Sequence, residues 1–231
     1  MEPTSERLDA EPVPRSRCGE TALPAPEDVE LRAAAERLER VMAATAHCTI
    51  VTVDIEGFGR HTRNNTNMVR IRHGLYLAMQ YAFDSAGIPW ASCRREDRGD
   101  GVLVLAPAEI PKTLFADHLP GTLLTALAWH NKIHPAEEQI RLRLAIHAGE
   151  INYDEHGVTG ASIVHTFRIL DSLELKRALE ETSAVLAVAG SAWFFDEVIR
   201  HSEGSCAQAY EPAAITNKET TTQAWIRLLT A

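Results

Sequence analysis

Two short apolar runs end in the same way, and that ending restricts the folds open to the chain more than any other feature. "TIVTVDIEGFGR" (49–60) and "EDRGDGVLVLAP" (96–107) each join a β-branched or aliphatic stretch to an aspartate and two glycines. Such runs are too short for globular helices and read as buried strands bounded by tight turns. Gly99-Asp100-Gly101 suits a hairpin joining "WASCRRE" to "VLVLAP". Asp54 leaves the first run just before backbone that Gly57 and Gly59 allow to approach a ligand closely.

The rest of the chain alternates in period. "NMVRIRHGLYLAMQYAFDSAG" places Met68, Ile71, Leu75, Met79 and Phe83 on one helical face and stops at Gly87. Residues 111–131 read as helical with a break at Pro120-Gly121. "IRLRLAIHAGEINY" reads as a half-buried strand broken at Gly149 and Gly157, followed by helix in two pieces from Gly160. "AVLAVAG" is a strand, "SAWFFDEVIRHS" a helix and "AWIRLL" a last strand. Upstream, residues 1–26 carry five prolines among acids and small polar residues and are expected to be a disordered tail. Residues 27–46 are expected to form a leading helix, with the domain spanning 47–231. Strands and helices in this order point to an α/β or α+β sheet covered by helices on one face.

Composition narrows the classes of function. With 45% hydrophobic and 24% charged residues, the 231-residue chain reads as a globular protein. A net charge of −9 argues against a nucleic-acid binder. No run approaches the ~20 apolar residues of a membrane span, and the N-terminus lacks a signal-peptide pattern, so a cytoplasmic protein is expected. Cys18, Cys48, Cys93 and Cys206 are scattered without metal-knuckle spacing and are expected to be reduced thiols.

If the two aspartate-bearing strands are neighbours, Asp54 and Asp100 share one sheet edge. Two hard oxygen donors there suit Mg²⁺ or Mn²⁺ bound with nucleotide phosphate. A third locus, "GVTGASIVHTFRI", runs a glycine turn into a helix that carries Arg168, a guanidinium suited to phosphate charge. Singly, each has an ordinary reading as turn, hairpin or solvated helix residue; the combination singles them out. His130 and His134 have metal-ligand spacing but no third ligand, and read as capping or surface residues. Trp193, Phe194 and Phe195 read as packing, His147 as a core histidine, and the "RGD" at 98–100 as an accident of the hairpin.

In order and spacing these motifs resemble the catalytic domain of the class III nucleotide cyclases, the adenylyl and guanylyl cyclases. "VTVDIEGFG" is similar to the family's strand ending in D-I-x-G-F, and "EDRGDGVLV" to its G-D-G hairpin. "IRLRLAIHAGEI" is similar to R-x-G-I-H-x-G-E, and "GASIVHTFRIL" to G-x-x-V-N-x-A-x-R-L. The resemblance runs from about His47 to Leu229. It implies an α+β fold with a ferredoxin-like βαββαβ core and a mainly antiparallel sheet covered by helices.

The resemblance also implies roles. Asp54 and Asp100 fall on the two metal aspartates, with the carbonyl of Ile55 and the amides through Phe58 around metal and phosphates. Arg168 falls on the arginine that stabilises charge on the α-phosphate. Lys218 lies about where the family has a phosphate-binding lysine. Glu96 and Gly157 fall on the two base-reading positions and match neither the adenine nor the guanine pattern. Glu96 as an acceptor suits a base that offers N–H groups, guanine or cytosine. Val164 stands where the family has a ribose-orienting asparagine, with His165 one residue out of register. Arg95, Asp97 and Arg98 read as surface charges.

The implied activity is conversion of a nucleoside triphosphate to a 3′,5′-cyclic nucleotide and pyrophosphate by a stand-alone homodimer with two divalent ions. Bacterial anti-phage systems contain cyclase-like enzymes of similar design, and a defence signal is expected by that analogy. The alternative is a degenerate cyclase-homology domain acting as a nucleotide sensor or adaptor, which Val164 and Gly157 favour. A metal-dependent hydrolase would use the same aspartates but lacks a general base beside them.

Overall fold

A computed structural model describes residues 45–231. The tail expected over 1–26 and most of the helix expected over 27–46 lie outside the described residues; Thr45 and Ala46 belong to the first strand. In chain order the elements are β1 (Thr45–Ile55), α1 (Asn65–Ser85), β2 (Arg94–Asp97), β3 (Gly101–Pro107), α2 (Lys112–Asp117) and α3 (Leu119–Ile133). They continue with β4 (Leu142–Asp154), β5 (Gly157–Thr159), α4 (Ala161–Leu170), α5 (Leu173–Glu180), β6 (Leu186–Ser191), α6 (Ala192–Glu197), β7 (Glu211–Asn217) and β8 (Thr220–Leu229).

The strands form one sheet in the order β2-β3-β1-β4-β6-β8-β7, with β5 hydrogen-bonded to β4. Every pairing is antiparallel except β4 with β6. The first four strands and the helices between them give the ferredoxin-like βαββαβ unit, and β6, β8 and β7 extend it. The fold is therefore the expected α+β class.

Helices cover both faces of the sheet, not one. Val51, Val53 and Ile55 of β1 pack in one core with Ile71, Leu75 and Phe83 of α1, Leu123 and Leu127 of α3, and Phe194 of α6. Ile50 of β1 and Leu103 of β3 point the other way, against Ile163 of α4, while Ala145, Ala187 and Ala189 meet Ile169, Leu175 and Leu179 of α4 and α5. This explains the unbroken apolar runs, since a strand buried on both faces has no solvent side to alternate with. Leu142 to Ile146 is accordingly buried throughout, not half-buried.

Other differences come from glycine and proline. β4 runs straight through Gly149, where a Cβ would fall 2.1 Å from Ser162 Oγ, so this glycine admits α4 close to the strand and does not break it. Pro120 lies in the first turn of α3, where its missing N–H is harmless, and the helix break is at His118. Trp90–Ser92, expected to start a strand, forms a 3₁₀ turn. β7 has no counterpart among the expected strands; it lies at the sheet edge, where Pro212 is tolerated. Among the described residues no helix is long and apolar enough to cross a membrane.

Candidate active site

The first corner of the site is built where β1 meets the β2–β3 hairpin. Asp54 lies opposite Gly101 in the β1–β3 ladder, and the Ile55 amide donates to the Asp100 carbonyl at 3.0 Å. Both aspartates therefore stand at one sheet edge, as expected. Beyond Ile55 the turn is anchored by Arg63, which donates to the carbonyl of Gly57 at 2.9 Å and to those of Glu137 and Gln139 at 3.0 and 2.8 Å. Gly57 takes φ +61°, the left-handed conformation this turn requires. Phe58 packs its ring against the main core. Among the described residues the amides of Gly57, Phe58 and Gly59 have no backbone acceptor, which leaves them as donors for an anion.

Sequence reasoning missed one member of this corner. Arg143 lies opposite Asp54 in the β1–β4 ladder, is buried, and donates to Asp54 Oδ2. Its sequence signal was the arginine of the "RLAIHAGE" match, four residues before His147. Asp100 has no side-chain partner among the described residues. The donor set is thus two carboxylates and a carbonyl; no group of three or more His, Cys, Asp or Glu gathers among the described residues. That set suits Mg²⁺, which takes one or two carboxylates and completes its shell with water and substrate phosphate.

The second cluster lies on β2. Glu96 Oε1 accepts from Arg94 Nε and Nη2 at 3.3 and 3.0 Å, and Oε2 accepts from Arg98 Nη2 at 2.8 Å. Arg94 lies over the Tyr153 ring at 5.1 Å and Arg98 over Phe167 at 5.5 Å. A Cβ on Gly157 would stand 3.5 Å from Glu96 Oε1, so the two positions aligned with base reading are neighbours. A cavity of about 370 Å³ opens beside Arg94, between Tyr153, Cys48 and Leu105.

The opposite edges of β2 serve the fold. Asp97 accepts from Tyr76 at 2.8 Å and from the Gly99 amide at 2.8 Å, and pairs with Arg72. Arg95 donates to the carbonyls of Trp90 and Cys93 and stacks on Trp90 at 4.9 Å. These charges are hairpin and helix fasteners, and Arg98 belongs to the Glu96 cluster, so none of the three is a bare surface charge.

The third cluster is at the end of α4. Arg168 Nη2 donates to Glu219 Oε1 at 2.7 Å, and Asn217 Nδ2 donates to the Arg168 carbonyl at 3.0 Å. That pair holds the Glu219 carboxyl below its usual range. Lys218, exposed and at φ +53°, sits in the same β7–β8 turn, so Arg168 and Lys218 share a corner. No hydrogen bond or ion pair joins Arg168 to Asp54 or Asp100 among the described residues. The row through Asp54 crosses Arg143 and Ala187 to reach β8 at Leu228, about 30 Å of strand from Glu219. Val164 is 46% exposed.

His147, His130 and His134 are held by the fold. His147 Nδ1 lies 2.8 Å from Ser191 Oγ, and its ring meets His165 at 5.0 Å and Trp193 at 6.3 Å. Burial, then the nearby His165 and His47, lower its pKa from 6.5 to about 4. Between these values the unfolded chain takes up a proton that the folded chain refuses, so stability present above pH 6.5 is lost as pH falls toward 4. His147→Gln is expected to flatten the fall of the thermal midpoint between pH 6.5 and 4; an unchanged slope would remove His147 as its cause. His130, expected at the surface or as a cap, is buried against Gly74 of α1. His134 Nδ1 lies 2.8 Å from the His130 carbonyl and closes the end of α3. Phe194 and Phe195 are core, as expected.

A cavity of about 1170 Å³ lies elsewhere, between α1 and α3, walled by Val69, Leu77, Tyr81 and Trp129. It contains none of the expected site residues.

No protein-family model matches the sequence, and neither does any curated protein. Solved structures do match in fold. The guanylyl cyclase Cya2 aligns over 80% of this chain and 91% of its own, with a TM-score of 0.56 and 17% identity. An adenylate/guanylate cyclase/hydrolase from Silicibacter pomeroyi aligns over 81% and 98%, with a TM-score of 0.55 and 17% identity. The guanylate cyclase domain of RhGC from Catenaria anguillulae, in complex with GTP, aligns over 80% and 98%, with a TM-score of 0.51 and 15% identity. The chain has the fold of the adenylyl and guanylyl cyclase catalytic domains.

Proposed function

We propose that the chain cyclises a nucleoside triphosphate to its 3′,5′-cyclic nucleotide, releasing pyrophosphate, at sites formed between two copies arranged head to tail. The observation that carries this reading is the first corner: Asp54 on β1 and Asp100 in the adjoining β2–β3 turn, beside a turn with unengaged amides. Asp54, Asp100 and the Ile55 carbonyl would hold Mg²⁺ or Mn²⁺, which supplies charge neutralisation for the triphosphate. The amides through Phe58 would bind phosphate oxygens. Arg168 meets charge developing on the α-phosphate and Lys218 binds the outgoing phosphates, once substrate displaces Glu219. The separation of Arg168 from the aspartates within one chain favours a partner copy that brings the arginine to the metal corner. A cytoplasmic location gives access to triphosphates, and the anti-phage role rests on the resemblance alone.

Val164 favours a second reading, a nucleotide sensor without turnover, because a half-exposed valine offers the ribose no hydrogen bond. Incubation with Mn²⁺ and each of the four ribonucleoside triphosphates separates the two. A cyclic product lost about a hundredfold in Arg168→Ala supports the cyclase; no product from any triphosphate overturns it. Mixing Arg168→Ala with Asp100→Asn chains is expected to restore roughly a quarter of wild-type activity, since half the dimers then carry one intact site of two. No restoration would overturn the composite site.

A further inference from the structure

We propose that Arg94 and Arg98 select the nucleobase, and that the substrate base presents a carbonyl to them: uracil or guanine, in preference to cytosine or adenine. The inference rests on the nucleotide reading above and concerns which triphosphate that site takes.

Glu96 is the aligned base reader, and in the sequence it looks like a free acceptor for a base amine. In the structure it is nearly saturated. An ionised carboxylate offers about four lone-pair sites, and three are occupied by Arg94 Nε, Arg94 Nη2 and Arg98 Nη2. The two guanidinium groups carry about five N–H groups each, so most of their donors are left over. The edge presented to a base is therefore rich in donors and carries a net positive charge. Tyr153 and Phe167 hold the two guanidinium planes by stacking. Gly157 cannot restore an acceptor: its φ of +140° strains any side chain, and it offers none itself.

A base carbonyl would accept from these remaining guanidinium N–H groups. Cytosine and adenine present an amine where the carbonyl would be, against guanidinium N–H, and leave donors unpaired on both sides.

The test measures binding and turnover of all four triphosphates by the full chain with Mn²⁺. The pair uridine and cytidine triphosphate, and the pair guanosine and adenosine triphosphate, isolate carbonyl against amine. The carbonyl member of at least one pair is expected to bind about tenfold tighter or more. Arg94→Gln and Arg98→Gln should bring that ratio toward one while inorganic tripolyphosphate still binds, which shows that the phosphate corner is intact. Preference for the amine member in both pairs, or ratios unmoved by both substitutions, overturns base selection even if cyclic product forms. A carbonyl preference with no product from any triphosphate leaves base selection standing and overturns the cyclase. Failure of all four to bind overturns both.

Discussion

Asp100→Asn is expected to lower cyclic-nucleotide formation about a thousandfold with no change in thermal midpoint. Metal-assisted charge stabilisation is worth several kcal/mol, and each 1.4 kcal/mol is about tenfold in rate. Asp100 has no side-chain partner among the described residues, so asparagine removes a charge without removing a contact. Asp54→Asn should lose as much activity but also about 2 kcal/mol of stability, because Arg143 is buried and pairs with the Asp54 carboxylate. Activity assays paired with thermal melts read both effects. If Asp100→Asn retains activity, the metal corner is not where the chemistry occurs. If Asp54→Asn melts as wild type, the Arg143 pair contributes nothing to the fold.

Gly101→Ala should cost about 3 kcal/mol or more, the largest stability loss expected from adding a single methyl group. A Cβ at 101 would fall 2.1 Å from the Val53 carbonyl oxygen, an atom of the neighbouring backbone that cannot rotate away. The strands would have to part where Asp54 and Asp100 are held together, so activity should fall with stability. Gly121→Ala is the control. Nothing lies within 4 Å of its added Cβ, and alanine in helix α3 should stabilise by up to about 1 kcal/mol. Denaturant midpoints of the two variants should therefore move in opposite directions. An unmoved midpoint for Gly101→Ala would mean that the ladder opens there at no cost.

Much of the fold was legible because most elements report on themselves. The face formed by Ile71, Leu75, Met79 and Phe83 declares α1, and all four are buried. The misreadings occur where tertiary context reverses a local rule. Gly149 resembles a strand breaker until Ser162 of α4 is seen against it, and His130 resembles a surface or capping residue until Gly74 of α1 is seen against it. The second helical layer left no separate signal, because strands buried on both faces look alike whichever helices cover them.

The candidate site divides along the same line. The sequence alone placed Asp54 and Asp100 at the ends of two strands, and the ladder makes them neighbours. It also suggested the pairing of Glu96 with Gly157. Whether those carboxylates are free depends on residues that arrive from other strands or from two positions along the same one. Asp54 meets Arg143 across the β1–β4 ladder, 89 residues away in sequence. Glu96 is flanked by Arg94 and Arg98, and the hairpin brings both guanidinium groups onto its carboxylate, though Arg98 reads from the sequence as a surface charge. Residue identity and spacing determined where the acids stand; only the tertiary structure decided which lone pairs remain, because hydrogen-bond occupancy is a property of packed neighbours.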